Sequence, residues 1–163
     1  MSECVFPGSF DPITCGHLDM IRRISSMYDT VIVAVMVNRA KEGCIPFQDR
    51  VRLIRKACGE LPNVRAELWT GLLSDYLRFH RGSVVIRGVR STQEFEQEKT
   101  AAAINRHLNP GMETLFLPAS DGWTDLSSSA VREIASFGGD FRSLVPESIY
   151  GDLQEWLIKK NEK

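Results

Sequence analysis

Three short stretches of the chain gather residues of the kind that hold phosphate. The first reads Pro7-Gly8-Ser9-Phe10-Asp11-Pro12-Ile13-Thr14-Cys15-Gly16-His17 and runs directly into a segment with Leu18, Ile21 and Ile24 at helical spacing. Glycines at 8 and 16 let backbone approach a ligand, and a helix start offers unpaired N–H groups and a positive dipole end to an anion. The second, Ile86-Arg87-Gly88-Val89-Arg90, sets two forked cations three residues apart behind an apolar run, and such forks match phosphate oxygens. The third, Ser127-Ser128-Ser129, precedes the Val131, Ile134, Ala135 periodicity, placing three hydroxyls where a helix cap needs one. Neither G-x-G-x-x-G nor G-x-x-x-x-G-K-[ST] occurs in the first stretch, which disfavours a dinucleotide oxidoreductase and a P-loop NTPase.

The elements that must position these loops follow from the hydropathy pattern. Short β-branched runs at 4–6, 31–37, 64–68, 84–86 and 114–117 read as buried strands. Helix-like segments lie between and after them, at 16–28, 48–58, 72–80, 92–108, 127–137 and 146–160. The fourth of these opens with Ser91-Thr92-Gln93-Glu94, the pattern of a capping box. Strands alternating with crossover helices predict an α/β fold: one doubly wound, Rossmann-like domain over residues 1–163, with a five-stranded parallel sheet covered on both faces. In that fold the ligand crevice lies beyond the carboxyl ends of strands 1 and 4, which points to loops 7–17 and 87–92.

Composition narrows the function further. Twenty Lys and Arg against 21 Asp and Glu leave a formal charge of −1, so the chain as a whole is no polycation for nucleic acid or anionic lipid, and any anion site is local. Residues 39–56 carry six basic and two acidic side chains, an expected solvated helix face and positive rim for polyanions. The longest apolar run, 31–37, is seven residues, far short of the ~20 that span a bilayer, and no secretory signal is visible. A cytoplasmic enzyme is expected, with no membrane and no nucleic-acid partner. Cys4, Cys15, Cys44 and Cys58 show no C-x-x-C spacing, and His17, His80 and His107 show no metal-ligand spacing, so no disulfide framework and no protein metal site are expected.

Residues 7–17, ending in Thr14-Cys15-Gly16-His17, resemble the T/H-x-G-H signature of the nucleotidylyltransferase superfamily. Residues 86–90 and Leu126-Ser127-Ser128-Ser129-Ala130-Val131-Arg132 are similar to further signatures of the bacterial phosphopantetheine adenylyltransferases, and Lys41 and Asn105-Arg106-His107-Leu108 fall where that family has them. The resemblance implies attack by the phosphate of 4′-phosphopantetheine on the α-phosphorus of ATP, giving dephospho-coenzyme A and pyrophosphate. It implies catalytic roles for His17, Lys41 and Arg90. It places ATP against Ser9, Phe10, His17, Gly88, Arg90, Glu98, Ser127, Ser128 and Ser129, with Glu98 on the adenosine side. It places 4′-phosphopantetheine against Ser9, Lys41, Leu72, Leu73, Arg87 and Asn105. Magnesium is expected to travel with ATP, coenzyme A to inhibit by feedback, and the chain to form a homohexamer. Asp11 is expected to be structural. Gly71 and Gln97 depart from the family, which often has an acidic and an aromatic residue there. The competing readings are nicotinate-mononucleotide adenylyltransferase or an alcohol-phosphate cytidylyltransferase, which share the first signature, and a silent nucleotide-binding module.

Overall fold

The computed structural model describes residues 2–38, 40–41, 43–80 and 84–158. Five strands, β1 (Glu3–Gly8), β2 (Thr30–Val37), β3 (Val64–Thr70), β4 (Val84–Val89) and β5 (Thr114–Pro118), form one all-parallel sheet in the order β3-β2-β1-β4-β5. The crossovers carry α1 (Cys15–Ser25), α2 (Phe47–Ala57), α3 (Leu73–Phe79) and α4 (Thr92–Leu108); α5 (Ser128–Ser136) and α6 (Tyr150–Leu157) follow. Residues 159–160, the end of the last predicted helix, lie outside the described residues.

Side chains alternate across the central strands, as the pleat requires. Cys4, Phe6, Val31, Val33, Val35 and Ile86 share a large core with Leu18, Ile21 and Ile24 of α1, Val51 and Ile54 of α2, Val131 of α5 and Leu153 of α6. Val5, Ile32, Ala34 and Val85 face the other way, against Tyr76 and Leu77 of α3. Both faces are covered, as expected, the second more thinly than the first. The seventeen residues of α4 bury none of their number. The helix lacks the continuous apolar stripe that would seat it on the sheet.

The order reverses between β1 and β4, and that pair is joined over only two registers, Cys4↔Val84 and Val5↔Val85. The pairing of β1 with β2 continues from Glu3 to Gly8. Beyond Val5 and Val85 the two inner strands therefore part, which opens the crevice at the reversal. Pro7, with no N–H to offer a neighbouring strand, occupies the parted half of β1.

Candidate active site

A cavity of about 850 Å³ fills this opening, within the range of small-molecule sites. Its lining brings together Ser9, Phe10, His17, Lys41, Arg87, Gly88, Arg90, Glu98 and all three serines, Ser127, Ser128 and Ser129. Leu72, Leu73 and Asn105 do not line it: Leu72 is exposed just past β3, and Leu73 and Asn105 are half-buried on α3 and α4.

His17 is set by the start of α1. The Thr14 hydroxyl accepts the His17 N–H at 3.3 Å, while the Thr14 N–H donates to His17 Nδ1 at 3.0 Å, a reciprocal cap. A ring whose Nδ1 accepts a backbone proton carries its own on Nε2, so the imidazole is a donor at its free end. Burial, followed by the nearby Arg90 and Arg87 guanidiniums, lowers its pKa to about 4. His17 is thus neutral near pH 7. The Phe10 ring meets it edge-on, 5.0 Å between centroids. Phe10 itself has φ +46°, a conformation side chains rarely adopt, held by burial of its ring to 2% exposure.

Across the crevice, β4 extends beyond its predicted end, so Arg87 and Gly88 stand on the strand itself. Both arginines are held in one pattern. Arg87 places Nε and Nη2 on Glu98, each at 2.7 Å, and donates from Nη1 to the Pro7 carbonyl at 2.6 Å, spanning the gap between the parted strands. Arg90 places Nε and Nη2 on Glu94 and donates from Nη1 to the Leu126 carbonyl at 2.8 Å. Each guanidinium keeps unused N–H groups for an anion. Glu94 departs from the expected capping box: Ser91 accepts the Glu94 N–H, but the Glu94 carboxylate turns to the Arg90 N–H and guanidinium, where charge assistance favours it. The Arg90 hydrogen bond holds the Glu94 carboxyl below its ordinary pKa. Glu98, expected beside adenosine, is occupied with Arg87. At Gly88 a Cβ would meet the Met20 thioether of α1, which would have to swing aside.

The three serines divide their work. Ser127 caps α5 by accepting the Ala130 N–H at 3.1 Å. Ser128 gives its hydroxyl proton to the Pro12 carbonyl at 2.7 Å, tying α5 to the first loop and leaving its backbone N–H for a ligand. Ser129 accepts from Arg132, whose Nη1 also donates to the Asp11 carbonyl at 2.6 Å. Arg132 lines the cavity as well, and its position in the third signature was the signal for it.

The expected positive rim is not built as read. Arg39 lies outside the described residues, Arg50 is buried, Arg55 donates to the Ala66 carbonyl, and Arg52 and Lys56 pair with Asp152 of α6. Lys41 alone of the described cations in 39–56 lines the cavity from an exposed position. None of the four cysteines is in a disulfide. The carboxylates at the crevice, Asp11, Glu94 and Glu98, are each already engaged by amides or guanidiniums, a poor donor set for a resident cation. Among the described residues no helix is long and apolar enough to cross a membrane.

The chain matches the cytidylyltransferase-like family over residues 5–134. It is 48% identical over 163 residues to the phosphopantetheine adenylyltransferase of Rubrobacter xylanophilus, covering 100% of this chain and 99% of the relative. It is 44% identical over 154 residues to that of Clostridium perfringens, with 94% of each covered. Among solved structures, a bifunctional NMN adenylyltransferase/ADP ribose pyrophosphatase from Francisella tularensis superposes with a TM-score of 0.73 at 15% identity, over 99% of this chain and 53% of that one, a likeness of fold.

Proposed function

The chain belongs to the cytidylyltransferase-like nucleotidylyltransferases and, within them, to the phosphopantetheine adenylyltransferases, and on that premise we propose how its crevice moves an adenylyl group from ATP to 4′-phosphopantetheine. The products are dephospho-coenzyme A and pyrophosphate, a step of coenzyme A biosynthesis. A phosphate oxygen of 4′-phosphopantetheine bonds to the α-phosphorus as the bond to the bridging oxygen of pyrophosphate breaks. The nucleophile arrives ionised, so no side chain need remove a proton, and the protein's part is positioning and charge stabilisation.

His17 donates Nε2–H to an α-phosphate oxygen, an interaction that strengthens as charge gathers there. Lys41 contacts the pantetheine phosphate and the transferred phosphoryl group. Arg87, oriented by Glu98, faces the pantetheine phosphate. Arg90, Ser127, Ser128, Ser129 and Arg132 receive the departing phosphates, with Ser9 and Phe10 beneath both substrates and Gly88 on the adenosine side. The pantetheine arm leaves the crevice towards Leu72, Leu73 and Asn105. ATP enters as its magnesium complex, the ion held by phosphate oxygens and water, in keeping with the engaged carboxylates. The whole chain works as one catalytic domain in the cytoplasm, as a homohexamer inhibited by coenzyme A in the same crevice. Exposed Ile104 and Leu108 on α4 support assembly.

The observation that carries this reading is that His17, Lys41, Arg90 and Ser128, drawn from four separate parts of the sequence, line one cavity at the strand reversal. Pyrophosphate release from ATP, assayed with 4′-phosphopantetheine, nicotinate mononucleotide and an alcohol phosphate, tests it. Turnover with the first acceptor alone is expected; turnover with another acceptor, or with none, overturns it.

A further inference from the structure

None of these roles uses Arg50, yet it is 3% exposed, beside Asp11 at 6%. A guanidinium so deep persists only where its donors are met. Its Nε donates to the Ile45 carbonyl at 2.7 Å and its Nη1 to the Ser9 carbonyl at 3.0 Å, while Nη2 lies 3.6 Å from the Asp11 carboxylate. Asp11 in turn accepts the backbone N–H groups of Cys44 and Ile45, each at 2.9 Å. One ion pair therefore binds two loops together: the phosphate loop, through Ser9 and Asp11, and the loop after β2 that carries Lys41, through Cys44 and Ile45. Gly43 lies flat against the pair. A Cβ there would land on the Arg50 guanidinium and the Asp11 carboxylate, so the lysine loop reaches its place only with glycine at 43. Arg50 itself projects from the first turn of α2, with the Phe47 ring 4.3 Å from its guanidinium carbon.

We infer that Arg50 is a positioning residue for adenylyl transfer: through Asp11 and the Ile45 carbonyl it fixes the loop bearing Lys41 against the loop bearing Ser9, so that Lys41 and His17 address the same phosphorus. This rests on the transfer reaction proposed above. The lysine is exposed, whereas Cys44 and Ile45, three and four residues further on, are tied to this buried pair through their amides and the Ile45 carbonyl. Misplacement of a catalytic cation by about 1 Å costs on the order of 10²-fold in rate.

The test is a double-mutant cycle on the full-length enzyme, Arg50→Met and Lys41→Met alone and together, read by kcat, KM for both substrates and amide exchange at Cys44 and Ile45. R50M is expected to lower kcat about 10²-fold, to leave KM for ATP within about threefold, and to speed exchange at both amides. In the K41M background it should cost almost nothing more, because the two act as a unit. Arg50→Lys keeps the charge but not the fork, and should lose about tenfold; it carries the same cycle if R50M does not fold. Losses that multiply in the double variant, or an R50M enzyme with full kcat, overturn the inference while leaving the reaction intact. Full activity in K41M overturns it by removing the residue to be positioned. Absence of pyrophosphate release in the wild type strikes the reaction itself, while faster exchange in R50M still reports whether the two loops are joined.

Discussion

On the α1 side of the crevice the polar groups are interior: Thr14, Asp11 and Arg50 are 1%, 6% and 3% exposed, and Ser128 and Arg132 bind carbonyls of the same loop. On the α4 side none of the helix is buried, and Arg87 and Arg90 are oriented by partly exposed pairs with Glu98 and Glu94. Bonds made away from water are costly to lose, whereas solvent-facing ion pairs are each worth about 0–1 kcal/mol. The first wall holds its geometry before substrate arrives. The second holds cations whose remaining N–H groups meet phosphates. Damage to the α1 wall should therefore appear mainly in kcat, and damage to the α4 wall mainly in KM.

The largest effect should come from His17→Ala, which retains the fold but lowers kcat by about 10²- to 10³-fold in pyrophosphate release, the scale of a lost charge-stabilising donor. Unchanged kcat would remove the imidazole from the reaction and with it the contrast. Lys41→Met should lower kcat by about 10²-fold, the scale expected of R50M, and raise KM for 4′-phosphopantetheine as well. On the other wall, Glu94→Gln and Glu98→Gln should raise KM for ATP and for 4′-phosphopantetheine respectively by no more than about fivefold, with kcat nearly constant. If turnover in either variant instead dropped by about 10²-fold, that wall would stand on a par with the first.

Stability supplies smaller effects. Native His17 resists protonation down to about pH 4, whereas the unfolded chain takes that proton near pH 6.5. As pH falls from 6.5 towards 4 the unfolded state therefore binds the extra proton and the native state loses stability. In thermal melts over that interval, His17→Gln should show a shallower decline in Tm than the wild type; parallel curves would contradict the neutral imidazole. Ser128→Ala, which deletes the bond to Pro12, should cost about 1 kcal/mol, or about 2–4 °C in Tm.

Both walls were legible in sequence to different degrees. The β-branched runs specify the strands, their alternation with helices implies a parallel doubly wound sheet, and the common nucleotide-binding order of that fold puts the reversal at strands 1 and 4, so the crevice and the loops at its mouth are accessible without coordinates. The pairing of Arg87 with Glu98 is not, because eleven residues separate a strand from the second turn of a helix and no local rule connects them. Glu94 carried a local rule, the capping box, and a nearby guanidinium overrode it. Arg50 was hidden by its charge: among basic neighbours it reads as a solvated face. Helical phase offered a signal, since Phe47, Arg50, Val51 and Ile54 fall on one stripe, and Arg50 shares its burial. The exposed face of α4 follows from its weak apolar periodicity, which is visible in the residues.

The ring-nitrogen NMR signals of His17, assigned by their loss in H17Q and followed from about pH 3.5 to 8, test the central claim most directly. The expected result is a proton on Nε2 and a bare Nδ1 at about pH 7, with titration near pH 4. A proton on Nδ1, or titration near 6.5, would mean that the α1 wall does not hold a neutral donor towards the phosphorus.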